Sequence, residues 1–141
     1  MQRIMVATDG SASANRGLDV AAALARAVDG ELLIVTIEDF PAEAICGRLR
    51  AEGGIGEANE LLCNRILLEA KERAERVGVR RIGIRSGFGD AAKAIIDAAR
   101  RERSDVLVVG RRGRGQLAGL LLGSVSQELV SRASCIVVVV P

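Results

Sequence analysis

Gly110-Arg-Arg-Gly113, nine further residues, then Gly123-Ser124 form a spacing that can hold phosphate. Before it, Asp105-Val-Leu-Val-Val-Gly110 reads as a buried strand; after it, Ser124-Val-Ser-Gln-Glu-Leu-Val-Ser-Arg-Ala133 reads as a helix. The first N–H groups of such a helix lack intrahelical partners and attract anions. Glycines in the preceding loop let a ligand reach the backbone without meeting a Cβ. Arg111, Arg112 and Arg114 make the loop positive, either as phosphate contacts or as solvated charges. Ser124-x-x-Gln127 also fits a capping box with Ser124 as the cap. A second group, Asp9-Gly10-Ser11, follows the first apolar run. Asp9 suits a ribose or a metal ion, while Ser11 or Ser13 can cap the helix that comes next.

Catalysis has fewer parts to draw on. The chain contains no histidine, which removes the usual base of serine and cysteine hydrolases and the commonest zinc ligand. Cys46, Cys63 and Cys135 are odd in number and lack C-x-x-C spacing, so reduced thiols are expected rather than disulfides or a zinc site. Gly110 to Leu117 lacks the Lys and Ser/Thr of a Walker A loop. Gly113-x-Gly115-x-x-Ala118 is a loose dinucleotide fingerprint, but it follows the fourth strand and no acidic residue ends the strand after it. Nothing in the pattern positions an attacking water. Phe40 and Phe88 are the only aromatics, so the stacking platform of a nucleic-acid binder is missing. No apolar run approaches the ~20 residues of a membrane helix. Met1-Gln-Arg-Ile-Met-Val leads straight into a strand pattern without a signal-peptide signature, which gives a cytoplasmic expectation. Net charge is only +2, yet residues 1–70 carry 6 basic and 11 acidic side chains against 14 and 7 in residues 71–141, so the loop sits in the basic half.

The elements that must position these residues alternate along the chain. The 141 residues show no linker-like stretch and fit one domain. Arg3 to Ala7 is a strand, and Leu18, Ala21, Ala22, Ala25 and Val28 recur at helical spacing until Asp29-Gly30. Glu31 to Ile37 is a second strand, ended by Asp39-Phe-Pro41, and the glycine-bearing stretch 41–56 is a loop. A helix from about Glu57 to Val77 should face inward with Leu61, Leu62, Ile66, Ala70, Ala74 and Val77, and stop at Gly78. Val79 to Arg85, Asp105 to Val109 and Ile136 to Val140 are further strands, with a helix over Asp90 to Glu102 between the first two. Nearly continuous Val/Ile/Leu strands separated by helices argue for an α/β parallel sheet covered on both faces. Ligands of such sheets bind beyond the carboxyl ends of the strands, where the winding reverses. If the first and fourth strands are neighbours there, Asp9 and the Gly110–Gly113 loop share a crevice.

Gly110-x2-Gly113-x9-Gly123-Ser124, with Val125-Ser126 and the closing Ala-Ser-Cys-Ile-Val-Val-Val-Val-Pro, resembles the signature of the universal stress protein family. Ile4-Met-Val-Ala-Thr-Asp9-Gly-Ser11 resembles its first strand and acidic turn, and Gly89-Asp90-Ala-Ala-Lys-Ala-Ile95 its Gly-Asp-Pro-Ala-Glu-x-Ile segment. The resemblance covers nearly the whole chain. It implies one domain over 1–141: a Rossmann-like, open twisted five-stranded parallel sheet in the order 3-2-1-4-5, with helices on both faces. It further implies ATP binding by Ala7, Thr8, Asp9, Ile37, Gly110, Arg111, Arg112, Gly113, Gly123, Ser124, Val125 and Ser126, with Mg²⁺ arriving with the nucleotide near Asp9. Two residues depart from the family pattern: Ala91 replaces a usual proline and Thr36 a frequent histidine. Neither change removes a phosphate donor. The expected partner is a second copy paired through the edge strand Cys135 to Val140, with no nucleic acid and no membrane. The implied function is nucleotide-dependent regulation in a stress response with little or no hydrolysis. The alternatives are an interaction protein of the same fold that binds no nucleotide, or a slow ATP hydrolase. An ATP-pyrophosphatase would need a serine-glycine-rich loop after the first strand, which Ala7-Thr-Asp-Gly-Ser11 does not supply.

Overall fold

The computed structural model of the chain describes residues 1–39, 55–113 and 122–141. Most of the loop expected over 41–56 lies outside the described residues, as do Phe40, Cys46, Arg114, Gly115 and Ala118. Five strands, β1 (Arg3–Ala7), β2 (Glu31–Asp39), β3 (Arg81–Gly89), β4 (Val106–Gly110) and β5 (Ile136–Val140), form one parallel sheet in the order β3-β2-β1-β4-β5. Helices α1 (Ala12–Ala27), α2 (Ile55–Val77), α3 (Ala91–Arg101) and α4 (Ser124–Arg132) complete the described elements. The chain is thus the Rossmann-like α/β fold with order 3-2-1-4-5. β1 and β4 are direct neighbours, with Ile4 opposite Val106 and Ala7 opposite Val109. The winding therefore reverses between them.

Strand alternation splits the core into two layers. Ile4, Val6, Leu32, Ile34, Val106 and Val108 point to one face and pack under α1 and α2 through Leu18, Ala21, Leu67 and Ala74. Met5, Ala7, Val35, Leu107 and Val109 point to the other face, under α3 and α4, against Ile95, Ile96, Ala99 and Leu129. Both faces being buried explains why the central strands read as unbroken apolar runs. Leu18 and Leu107 are fully buried. Truncating either to Ala should cost about 2–5 kcal/mol.

Three expectations shift. The inner stripe of α2 is Cys63, Leu67, Ala70 and Ala74, while Leu61 is 70% and Leu62 40% exposed. β3 begins at Arg81 rather than Val79, because Val79 N–H bonds back to Ala74 O and Gly78 N–H to Glu75 O to close α2. Gly78 takes φ +101, the left-handed conformation of a helix C-terminus. β2 and β3 also run on to Asp39 and Gly89, pairing residue for residue past Ile37 and Arg85.

Candidate functional site

The crevice begins where β1 turns into α1. Thr8 N–H continues the ladder to Val35 O at 2.9 Å, and Thr8 is itself buried. Its hydroxyl accepts Gly10 N–H at 3.1 Å, and Asp9 Oδ1 accepts Ser11 N–H at 2.9 Å, a local turn that commits one oxygen of the carboxylate. Ser11 then caps α1 by accepting Ala14 N–H at 3.2 Å. Asp9 is thereby fixed at the carboxyl end of β1 with Oδ2 turned toward the loop that follows β4.

That loop is held at both ends. Arg111 N–H donates to Val140 O at 2.6 Å, and Gly123 N–H donates to Arg111 O at 2.8 Å, so Gly110–Gly113 and Gly123 are drawn together. The Ser126 hydroxyl reaches Gly110 O at 2.8 Å and Arg111 O at 3.1 Å. Two of these positions are glycine because of close approach. A Cβ on Gly110 would stand 2.7 Å from Ser13 Oγ and 2.9 Å from Ala14 N, and one on Gly113 would stand 2.6 Å from Asp9 Oδ2.

The helix start also differs from the capping-box expectation. Gly123 is the N-cap of α4, without a side-chain cap, and Ser124 is its first helical residue. Gly123 already takes the extended backbone of a cap, so the helix begins one residue earlier than a cap at Ser124 requires. The Ser124 hydroxyl is consequently not used for capping.

A cavity of about 510 Å³ opens between these segments. It is lined by every residue expected at the site except Arg111. The Arg111 backbone pins the loop, and its Nε is buried without a hydrogen-bond partner among the described residues. Arg112 does line the cavity. The serine at 126 turns its hydroxyl to carbonyls, leaving its N–H as the group able to face a ligand. At the other end an apolar wall comes from Val35, Ile37, Cys63, Ile66 and Ile95. Cys63 was not among the expected site residues. It stands four residues before Leu67 on the stripe that faces the sheet, a position that helical spacing admits without choosing it over Leu62 and Ile66. Ala91, in place of the usual proline, also lines the cavity and opens α3, where Asp90 caps through Lys93 N–H at 3.0 Å. Thr36, in place of the histidine, is buried in the same wall.

One end of the cavity thus offers backbone N–H groups, a helix start and Arg112, which suit an anion. The other offers apolar surface to a flat ring. Among the described residues no cluster of three or more carboxylate or cysteine ligands could hold a metal by itself.

The universal stress protein family model matches residues 1–141. The chain belongs to the universal stress protein family. The universal stress protein Rv1636 of Mycobacterium tuberculosis is 36% identical over 146 residues, covering 97% of this chain and 94% of that protein. A universal stress protein of Thermus aquaticus is 37% identical over 140 residues, with 97% and 96% covered. Among solved structures, a universal stress protein crystallised in complex with cAMP superposes with a TM-score of 0.79 at 30% identity, over 99% of this chain and 97% of the other. None of the described helices is long and apolar enough to cross a membrane.

Proposed function

We propose that this universal stress protein binds an adenine nucleotide, ATP foremost, as a regulatory ligand that is hydrolysed slowly or not at all. The observation that carries the reading is the Gly123 N–H to Arg111 O bond, which closes Gly110–Gly113 onto the start of α4 opposite Asp9. Phosphates meet Gly113, Gly123, Ser124 and the N–H groups of Val125 and Ser126; Arg112 adds charge. Ala7 and Thr8 run along the nucleotide, and the adenine lies against Ile37. Mg²⁺ comes with the nucleotide and sits near Asp9, whose position beside Gly113 fits that duty. With no histidine in the chain, the site lacks the commonest base for activating water. The protein works in the cytoplasm as a homodimer paired through β5, an apolar edge that invites a second copy.

Protein freed of co-purified nucleotide should gain about 2.7 kcal/mol at ~100 Kd of Mg-ATP. No melting shift at saturating Mg-ATP would sink the reading. Release of phosphate at an ordinary enzyme rate, above roughly 1 per second, would overturn the regulatory part.

A second reading, cAMP as the ligand, is favoured by the 30%-identical relative crystallised with that nucleotide. A cyclic monophosphate presents one phosphate where ATP presents three, so it uses less of the glycine loop. Competition between the two nucleotides decides which binds more tightly.

A further inference from the structure

The two edges of the sheet differ in chemistry. β5 is short and wholly apolar, Ile-Val-Val-Val-Val. β3 is nine residues long, Arg-Ile-Gly-Ile-Arg-Ser-Gly-Phe-Gly, and as the opposite edge it is paired with β2 alone among the described strands. A strand so placed has backbone donors and acceptors directed away from its partner.

Side chains divide β3 into two faces. Ile82 and Ile84 pack on the α1–α2 core, whereas Gly83 and Gly87 lie over Leu33 and Ile37 on the α3 face, 3.1 Å from their Cδ1 atoms when a Cβ is built. Arg81 and Arg85 share that second face. Leu33 and Ile37 reach over the glycines, so that the arginines are the only long side chains β3 itself sends to this face. A groove of about 490 Å³ opens there, with Gly83 and Leu33 in its lining and Arg3, Arg81, Arg85, Glu31 and Glu102 around them. It lies toward the amino ends of the strands, away from the nucleotide cavity.

The groove's charge is only partly met. Arg85 Nε is 3.7 Å from Glu102 Oε1 and Arg3 Nε is 3.8 Å from Glu31 Oε2, both beyond hydrogen-bond length. Arg85 donates Nη1 to Ile84 O, Arg3 donates Nη1 to Glu102 O, and Arg81 donates Nη2 to Asp29 O. Arg80 pairs with Asp29 at 3.0 Å. The lining therefore holds four arginines against two glutamates. Arg85 is 60% exposed at its side chain.

We propose that β3 docks an extended acidic segment of a partner protein, which adds to the sheet as a strand outside β3. Its main chain takes up the ladder groups that β2 leaves unused, displacing Arg85 Nη1 from Ile84 O, and carboxylates at alternate positions stand opposite Arg81 and the Arg85 so released. Apolar residues at the intervening positions meet the other face, where Phe88 is 65% exposed. A second copy of this chain is a poor occupant: antiparallel pairing of two β3 strands would set Arg81 and Arg85 against their own kind.

The test is fluorescence anisotropy at low salt with a labelled peptide of about eight alternating Glu and Val residues. Saturable binding is expected, weakened about tenfold or more in R81E/R85E protein and lost when alternate peptide amides are N-methylated. Both arginines lie outside the nucleotide cavity, so the variant should keep the circular dichroism and nucleotide response of the parent. The N-methylated peptide tests the proposal on unaltered protein in any event. Absence of saturable binding, equal binding of a Lys/Val peptide, survival of binding after N-methylation, or self-association through β3 that R81E/R85E abolishes would each overturn it.

Discussion

Asp9 Oδ2 occupies the place where a side chain on Gly113 would begin, 2.6 Å from the Cβ position. The carboxylate cannot swing away freely, since its other oxygen holds Ser11 N–H at the start of α1. Gly113→Val should push Asp9 or the loop out of the ligand-binding arrangement. Gly113 is exposed, and among the described residues only the Asp9 carboxylate crowds its Cβ, so the unliganded fold should stay within about 1 kcal/mol of the parent. Calorimetric titration should show ATP affinity falling at least tenfold, with cAMP affected less. Undiminished ATP binding would show that the loop does not carry the phosphates.

Gly110 is tight for a different reason, and its substitution should read out differently. Its Cβ would meet the backbone of Ser13 and Ala14 at 2.8 and 2.9 Å as well as Ser13 Oγ at 2.7 Å, and the backbone cannot turn aside as a side chain can. Gly110→Ala should therefore cost stability, about 1–3 kcal/mol of overpacking, seen as a lower urea midpoint without ligand. A midpoint equal to the parent's would mean that α1 can move off β4 at no cost.

Arg73 grips Asp19 with both arms of its fork, at 2.6 and 2.7 Å, tying α2 to α1. This hydrogen bonding, more than the charge attraction, holds the Asp19 carboxyl below its ordinary value of 3.8 and outweighs its partial burial. A lowered acid stabilises the fold above the unfolded pKa and loses that contribution as pH falls through the folded value. Both side chains are over 40% exposed, so Asp19→Asn should cost only about 0.5–1 kcal/mol at pH 7. Unfolding curves of parent and variant should converge in acid; a gap that widens there reverses the sign.

Cys63 reports on occupancy of the cavity. It is 7% exposed and lines the apolar wall, whereas Cys135 lies outside the cavity with its thiol pKa raised by burial. Saturating ATP should slow alkylation of Cys63, followed by mass spectrometry, and leave Cys135 unchanged. Equal rates at Cys63 with and without nucleotide would place the ligand elsewhere.

Ile136 opens β5 and is 55% exposed. Ile136→Arg should lower dimer affinity about tenfold in sedimentation while altering monomer stability by no more than about 0.5 kcal/mol. If a dimer forms as readily in the variant, it uses another surface.

The sheet was legible because its central strands are buried on both faces and so spell continuous apolar runs, β4 most plainly in Val-Leu-Val-Val-Gly. The α2 face was not. Leu61, Leu62, Ile66, Leu67 and Leu68 spread apolar side chains around much of the helix, so spacing alone admits two stripes that share Ala70 and Ala74. Only the position of the sheet chooses Cys63 and Leu67 over Leu61 and Leu62. The start of β3 was hidden likewise: Val79 has a strand former's side chain but spends its N–H on closing α2. Loop composition placed Gly110, Gly113 and Gly123 at one crevice. It could not show that Arg111 leaves the crevice, because that depends on Val140, a neighbour only after folding.

Arg111 is joined through its amide to the last residue of β5 and through its carbonyl to the cap of α4. It behaves as a rivet between frame and flap. A pull on Val140 at the β5 edge is therefore felt at the cap of α4 through the backbone of this one residue, in addition to the short stretch of chain that joins the two elements.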